Sequence, residues 1–388
     1  MRPPPIALSL TLAGGIAANL LTGSAAHAAP ATARHTTSTA AEPAAAAQQR
    51  SRTPLKWTAL GDSYSANATV PRWDSSDGCG RSNHSWERQL ARRLNAETSN
   101  WVRLTDVTCG AAEIDKGVLA SQTCDVLLGP PYNRGACAWP AKSPQIDALN
   151  GDEDVVTVGV GGNTLGFATI LTKCLEMGVK QGNPPTLGPG CRGYYENGEG
   201  RQWLADRFAT LTREYTLMMR RIHERAPHAK VFLLGYPTVV SRPFNQTNCY
   251  WGNFKRLGTV RLGVDGDFLI GLERRLNDVI KKQAQDNARW ATYVDTYESS
   301  RGKGVCATGT SQWMSGVFDD LVIPQGETKP ANPAEYQCDL LNVLPPGVPK
   351  GEACTLIHPN VRGATNQANQ MYAAFRNAGL TPGPRSKG

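Results

Sequence analysis

Short apolar runs alternate along this chain with longer stretches in which apolar residues recur every third or fourth position. Leu55–Leu60, Asn100–Thr108, Asp154–Val160, Lys230–Gly235 and Trp290–Thr296 have the first pattern and read as strands, Asp154–Val160 being the cleanest buried one. Asn83–Ala96 has the second, with Trp86, Leu90 and Leu94 at helical spacing. Trp203–Ala226, roughly Arg261–Ala288, and a segment after Asn360 running through Ala374 are helical on the same ground. Strands that alternate with helices predict a parallel sheet with helices packed on it. The expected class is therefore α/β: one domain of five strands and flanking helices, over residues 54–380.

Other stretches do not fit that rhythm. Residues 1–28 carry one positive charge at Arg2, an apolar run from Ile6 to Leu21, and the small-x-small triplet Ala26-His27-Ala28, which together predict a secretory signal peptide. Gly14, Gly15 and Asn19 interrupt that run and leave it short for a membrane anchor. Residues 29–53 are rich in Ala, Thr, Ser and Gln with little to bury, so a disordered leader is expected. Ser299–Glu352 is rich in Gly, Pro and polar residues and reads as an insertion, too poor in periodic apolar positions to build its own core. Residues 381–388 are expected to be a flexible tail. No long apolar stretch follows the signal, so stable membrane insertion is not expected.

Composition adds an address. The ten cysteines are Cys79, Cys109, Cys124, Cys137, Cys174, Cys191, Cys249, Cys306, Cys338 and Cys354. An even number in an exported chain predicts disulfides, and pairing in sequential order closes each loop locally. No Cys-x-x-Cys or Cys-x-x-His spacing occurs, so no structural zinc site is expected. The formal net charge of +8 is modest, and no dense basic block with interleaved aromatics marks a nucleic-acid face. A secreted, extracellular monomer is the expectation.

The candidate chemistry sits at strand ends. Gly61-Asp62-Ser63 follows the first strand, at the sheet edge where open α/β folds keep their sites, and makes Ser63 a candidate nucleophile. A serine needs a base. Of the six histidines, His27 lies in the signal and His35 in the leader, His223 and His228 lie on or just past a helix, and His84 sits near a helix start. His358, in a terminal loop before Pro359, remains; an ordinary surface histidine is the alternative. Gly110 offers a backbone N–H and Asn163, on a glycine-rich turn, a side-chain amide. With the N–H of Ser63 they would supply three donors to one developing negative charge. A plain strand-to-helix turn and a phosphate-cradling loop are the other readings of Gly161-Gly162-Asn163, but the full Gly-x-Gly-x-x-Gly spacing is missing.

Gly61-Asp62-Ser63, Gly110, Gly162-Asn163-Thr164 and His358 fall in the order of the four blocks of the SGNH (GDSL-type) hydrolases, and the chain resembles that family over most of residues 54–380. The cysteine placement and the Asp-Ser-Tyr-Ser variant are most similar to its secreted actinobacterial esterases, lipases and phospholipases. The resemblance implies a flavodoxin-like, three-layer α/β/α sandwich and hydrolysis of a lipid or small acyl ester without metal or cofactor. It also implies Ser63 as nucleophile, His358 as base, and Ser63, Gly110 and Asn163 as oxyanion donors. Two positions depart from the family pattern. Thr164 replaces an Asp, and Thr355 stands where an Asp would orient the histidine. A Ser63–His358 dyad is therefore expected, with the backbone carbonyl of Thr355 or Leu356 on the imidazole; Asp319, Asp320 or Asp339 from the insertion is the alternative third member. Phospholipase A, polysaccharide acetyl esterase and a non-catalytic binding protein on the same scaffold are the competing functions. Trp139, Trp251, Trp313 and Phe318 are candidate lining for an acyl groove, or else core under long loops.

Overall fold

A computed structural model describes residues 53–71, 73–74, 77–122, 141–180, 190–242, 262–329 and 353–382. The expected signal peptide and nearly all of the leader lie outside these residues, as do residues 123–140, the far half of the insertion and most of the tail.

Five strands form the sheet: β1 (Leu55–Gly61), β2 (Val102–Asp106), β3 (Val155–Gly159), β4 (Lys230–Leu234) and β5 (Ala291–Val294). Their order is β2-β1-β3-β4-β5 and every pairing is parallel. The five strands and their parallel arrangement are those expected from the apolar runs, with ends trimmed by a few residues. β3 is buried at all five positions, which is why its apolar run is continuous and not alternating.

Period-two alternation sends neighbouring side chains to opposite faces. Trp57 and Ala59 of β1, Phe232 and Leu234 of β4 and Val294 of β5 pack with α2 (Trp86–Glu97) and the terminal helix α8 (Val361–Asn377), through Trp86, Leu90, Leu94, Met371 and Phe375. On the other face Val156, Val158, Val231 and Leu233 meet α6 (Gly200–Arg225) and α7 (Leu262–Asp286), through Phe208, Leu211, Tyr215, Met218, Leu276 and Ile280. Two apolar clusters separated by one sheet make the three-layer sandwich. Between β3 and α6 the chain forms three helices that period counting missed: α3 (Gly162–Leu165), α4 (Phe167–Lys180) and α5 (Gly190–Glu196). The first and last are about two turns or shorter, too brief for a repeat to register.

Ser299–Glu352 does not stand apart. In its described part Val305, Met314, Val317 and Phe318 are buried in the larger cluster, and Phe318–Asp319 pairs with Ala353–Cys354. Two disulfides follow the sequential order, Cys79–Cys109 and Cys174–Cys191. Cys306 is also bonded, and no described cysteine is free. Cys124, Cys137, Cys249 and Cys338 lie outside the described residues. No helix among the described residues is long and apolar enough to cross a membrane.

The Cys174–Cys191 bridge clips α4 to α5 across a separation of 17 residues. Closing a loop of that size removes about 3 kcal/mol of chain entropy from the unfolded state. Replacing both cysteines by alanine should lower the unfolding free energy by about that much in a denaturant titration.

Candidate active site

β1 and β3 lie on either side of the point where strand order reverses, and their ends are level, Gly61 facing Gly159. Both glycines are required by close approach. A Cβ on Gly61 would lie 2.5 Å from the Ser65 hydroxyl, and one on Gly159 would lie 2.2 Å from it. Ser65 fills that space and donates to the Gly159 carbonyl at 3.0 Å. Gln145 completes the edge by pairing with both backbone groups of Gly61, at 2.8 and 2.9 Å. The chain then turns sharply into α1 (Ser63–Ala66), whose first residue is Ser63.

Asp62 is the N-cap of that helix, its Oδ1 accepting the Tyr64 N–H at 2.9 Å. It is buried, and burial raises its pKa to about 7, against the lowering effect of hydrogen bonds from the Tyr236 hydroxyl and the N–H groups of Tyr64, Gly161 and Ser65. Asp62 is thus a turn-builder beside Ser63, which agrees with its N-cap chemistry.

His358 meets Ser63 from the far end of the chain. Its Nε2 is 2.7 Å from the Ser63 Oγ. Its Nδ1 lies 3.0 Å from the Thr355 carbonyl and 3.1 Å from the Leu356 carbonyl. Two consecutive carbonyls reach one nitrogen because Leu356 and Ile357 both adopt left-handed backbone, with φ of 43° and 59°. That conformation costs roughly 1–2 kcal/mol per residue, and a β-branched residue such as Ile357 resists it most. The insertion holds it in place. The N–H groups of Thr355 and Leu356 donate to the Val317 carbonyl at 3.0 Å each, Ile357 N–H to Gly316 at 2.8 Å, and the Thr355 hydroxyl to Gly316 at 2.7 Å. The Tyr64 hydroxyl donates to the Ile357 carbonyl. Asn360 caps α8 and donates to the Trp313 and Gln312 carbonyls, both at 2.9 Å. Burial lowers the His358 pKa to about 4, opposed by its two carbonyl partners.

Asn163 lies on α3, just beyond the end of β3, and its Nδ2 donates to the Ala112 carbonyl at 3.0 Å, which leaves its second N–H. Thr164, at the position where the family pattern has an Asp, accepts the Ile114 N–H on its hydroxyl at 2.8 Å. That bond ties the loop after β2 to α3, and an acceptor is all it requires. Gly110 lies in the loop after β2. Its N–H donates to the Cys79 carbonyl at 2.9 Å and is therefore already engaged. The disulfide Cys79–Cys109 draws those two segments together. The next residue, Ala111, is exposed and left-handed, with φ of 63°.

The remaining candidates are brought elsewhere. Asp319 is buried with its Oδ2 accepting from Gln312 at 2.7 Å and Gly316 N–H at 3.0 Å, and its Oδ1 accepting from Asp320 N–H, so it builds the turn beneath the histidine. Asp339 lies outside the described residues. His84 pairs with Glu327 at 3.2 Å, His223 stacks on Trp290, and His228 is exposed. Phe318 belongs to the core, Trp313 is partly buried, and Trp139 and Trp251 lie outside the described residues. Among the described residues no cluster of three metal-ligating side chains occurs. Tyr64 and the Gly316–Val317 backbone were missed from sequence. Tyr64 is 293 positions from the carbonyl it holds, a distance over which no local pattern speaks.

The family model of the GDSL-like lipases and acylhydrolases matches residues 59–365. An esterase of Streptomyces scabiei is 29% identical over 85% of this chain and 88% of its own length. Lipase 2 of Streptomyces coelicolor is 31% identical over 78% of this chain and 85% of its own. Among solved structures, an extracellular lipase of Streptomyces rimosus aligns at a TM-score of 0.47 and 20% identity, over 82% of this chain and 99% of its own.

Thr164→Val keeps the shape of the side chain and removes the acceptor for a buried N–H. An unsatisfied group of that kind costs about 1–3 kcal/mol. Thermal unfolding of the variant should register a loss in that range.

Proposed function

The chain belongs to the GDSL-like lipase/acylhydrolase family and is a carboxylic ester hydrolase, and we propose that it works outside the cell by a two-step acyl transfer with Ser63 as nucleophile and His358 as its base. The observation that carries this reading is the 2.7 Å approach of His358 Nε2 to the Ser63 Oγ, with Nδ1 turned to two carbonyls.

A carbonyl can only accept, so Nδ1 carries the proton and Nε2 keeps its lone pair for the serine hydroxyl. His358 takes the Ser63 proton as Oγ attacks the ester carbonyl. It then returns that proton to the leaving alcohol, and a water molecule repeats the cycle on the acyl-enzyme. The transient imidazolium is stabilised by the Thr355 and Leu356 carbonyl dipoles, which act in place of the carboxylate of a Ser-His-Asp triad. The negative charge of the tetrahedral intermediate falls to the Ser63 N–H, which has no acceptor among the described residues, and to Asn163 Nδ2. We assign the third donor to Ala111 N–H in place of Gly110. Its own N–H has no acceptor among the described residues, it adjoins the Ala112 carbonyl held by Asn163, and the N–H of Gly110 is engaged. The disulfides and the amino-terminal signal pattern support an extracellular setting, since an oxidising compartment lets such bonds persist.

A fluorophosphonate probe separates this reading from a binding protein on the same scaffold. Covalent labelling at Ser63, lost in Ser63→Ala along with turnover of a nitrophenyl ester, is expected. Wild-type turnover in Ser63→Ala would sink the proposal. Asp319→Asn should lose less than roughly tenfold in kcat, whereas loss of a true triad aspartate costs about 10⁴-fold.

Only the neutral imidazole is a base, so the lowered His358 pKa moves the acid limb of kcat/KM from the ordinary 6.5 down to about pH 4. A pH-rate profile with its acid midpoint near 6.5 would contradict that. The same shift affects stability. Below pH 6.5 the unfolded chain takes up a proton at this imidazole while the folded chain refuses it until about 4, so this group's contribution to stability falls progressively between those values.

A further inference from the structure

The end of β4 carries a side chain that no part of the mechanism above uses. Tyr236 lies two residues past Leu234, buried, with its backbone clamped by Asn277, which accepts the Tyr236 N–H at 2.7 Å and donates to its carbonyl at 3.0 Å. Its hydroxyl has two partners. It accepts the Gly162 N–H at 2.7 Å and donates to Asp62 Oδ2. Asp62 is the residue before Ser63 and Gly162 the residue before Asn163. One hydroxyl therefore joins the turn that carries the nucleophile to the turn that carries the oxyanion amide.

We infer that Tyr236 is a positioning residue of the acyl-transfer site, whose hydroxyl sets the separation between the Ser63 turn and the Asn163 turn. This inference rests on the proposed roles of Ser63 and Asn163. The direction of each hydrogen bond is determined. The Gly162 N–H can only donate, so the phenol oxygen accepts there and its one proton goes to Asp62. Asp62 in turn accepts the Tyr64 N–H on its other oxygen, which keeps the first turn of α1 aligned.

The bridge has no slack on the Gly162 side. A Cβ there would lie 3.2 Å from the Tyr236 hydroxyl and 3.3 Å from its ring. The Asn163 turn is also gripped from its far side, where Arg207 donates to the Asn163 and Thr164 carbonyls, and from the β2 loop by Thr164. Those contacts fix α3 as a body. Among the described residues Tyr236 joins it to the turn before Ser63, beside the contact of the Gly161 N–H with the Asp62 carboxyl. The two turns leave different strands, just past the point where Gly61 and Gly159 are level. A phenylalanine at this position would fill the same space and leave the two turns to drift.

The test is Tyr236→Phe, with kcat expressed per active site titrated by the fluorophosphonate. A displacement of about 1 Å in a reacting group costs on the order of 10²-fold in rate. We expect kcat per titrated site to fall by roughly 10- to 100-fold, KM to change by less than about threefold, and the labelling rate constant to fall in parallel with kcat. A merely structural hydroxyl would lower the thermal midpoint or the number of titratable sites and leave kcat per site at the wild-type value, and that result overturns the inference. Should Tyr236→Phe not fold, Gly162→Ala carries the same test, since its Cβ crowds the bridge from the other end; unchanged kcat per site in that variant is equally fatal. Ser63→Ala is run beside them. Turnover retained in Ser63→Ala refutes the proposed mechanism itself, whereas an inactive Ser63→Ala with wild-type kcat per site in Tyr236→Phe refutes only the role of Tyr236.

Discussion

Two glycines abreast, Gly61 and Gly159, are the constraint from which the rest of the site follows. Their missing side chains let Ser65 sit between the ends of β1 and β3, and that contact allows the chain to turn into α1 immediately after the strand. A larger residue at either position would force the Ser65 side chain outward and rotate Ser63, the neighbour two places earlier. Asp62 is then enclosed beneath the turn, and its carboxyl must be satisfied by the groups around it: a helix N–H, a backbone N–H of the next turn and a phenol. The Ser63 turn is thus tied to the sheet by steric fit and to its neighbours by the needs of one buried carboxyl.

Topology explains why these pieces converge. In a β2-β1-β3-β4-β5 sheet the connections from β1 and β3 leave to opposite faces, and a crevice opens between them at the carboxyl edge. The loops after β1, β2 and β3 and the residues just past β4 all reach that edge. His358 arrives by another route. Residues 315–317 of the insertion form a rail of carbonyls and N–H groups along which residues 355–358 are laid, and this rail supports two consecutive left-handed residues that would not persist alone. A stretch without periodicity therefore serves as scaffold for the most strained turn in the site.

The electrostatic design is one of neutrality. Burial pushes the His358 pKa down to about 4, so above that value the imidazole rests uncharged, and the same burial pushes the Asp62 carboxyl up to about 7 against the hydrogen bonds donated to it. In the proposed acyl transfer charge would develop on Ser63 and the imidazole, to be met by dipoles: two carbonyls on one side, N–H groups on the other. Preorganised dipoles of this kind require no reorganisation when charge appears.

Much of this was legible in the amino-acid order. The five apolar runs and the four periodic stretches are properties of local burial, and they located every strand of the sheet and two helices of each outer layer, α2 with α8 and α6 with α7. Ser63, Asn163 and His358 were reachable as candidates because glycine-rich turns and a proline-bounded histidine leave a mark within a few residues. The sequential pairing of Cys79 with Cys109 and of Cys174 with Cys191 was equally local. What only the tertiary structure decided involves partners distant in sequence. That the Gly110 N–H is taken by Cys79, that Asp319 serves the turn under His358 and not its imidazole, and that Tyr64 and Tyr236 hold the loops are all facts about which group fills which hydrogen bond. Hydrogen bonds saturate: a donor given to one acceptor is withheld from another, and the choice depends on distances that exist only after the sheet has brought residues 62, 162, 236 and 357 to one edge.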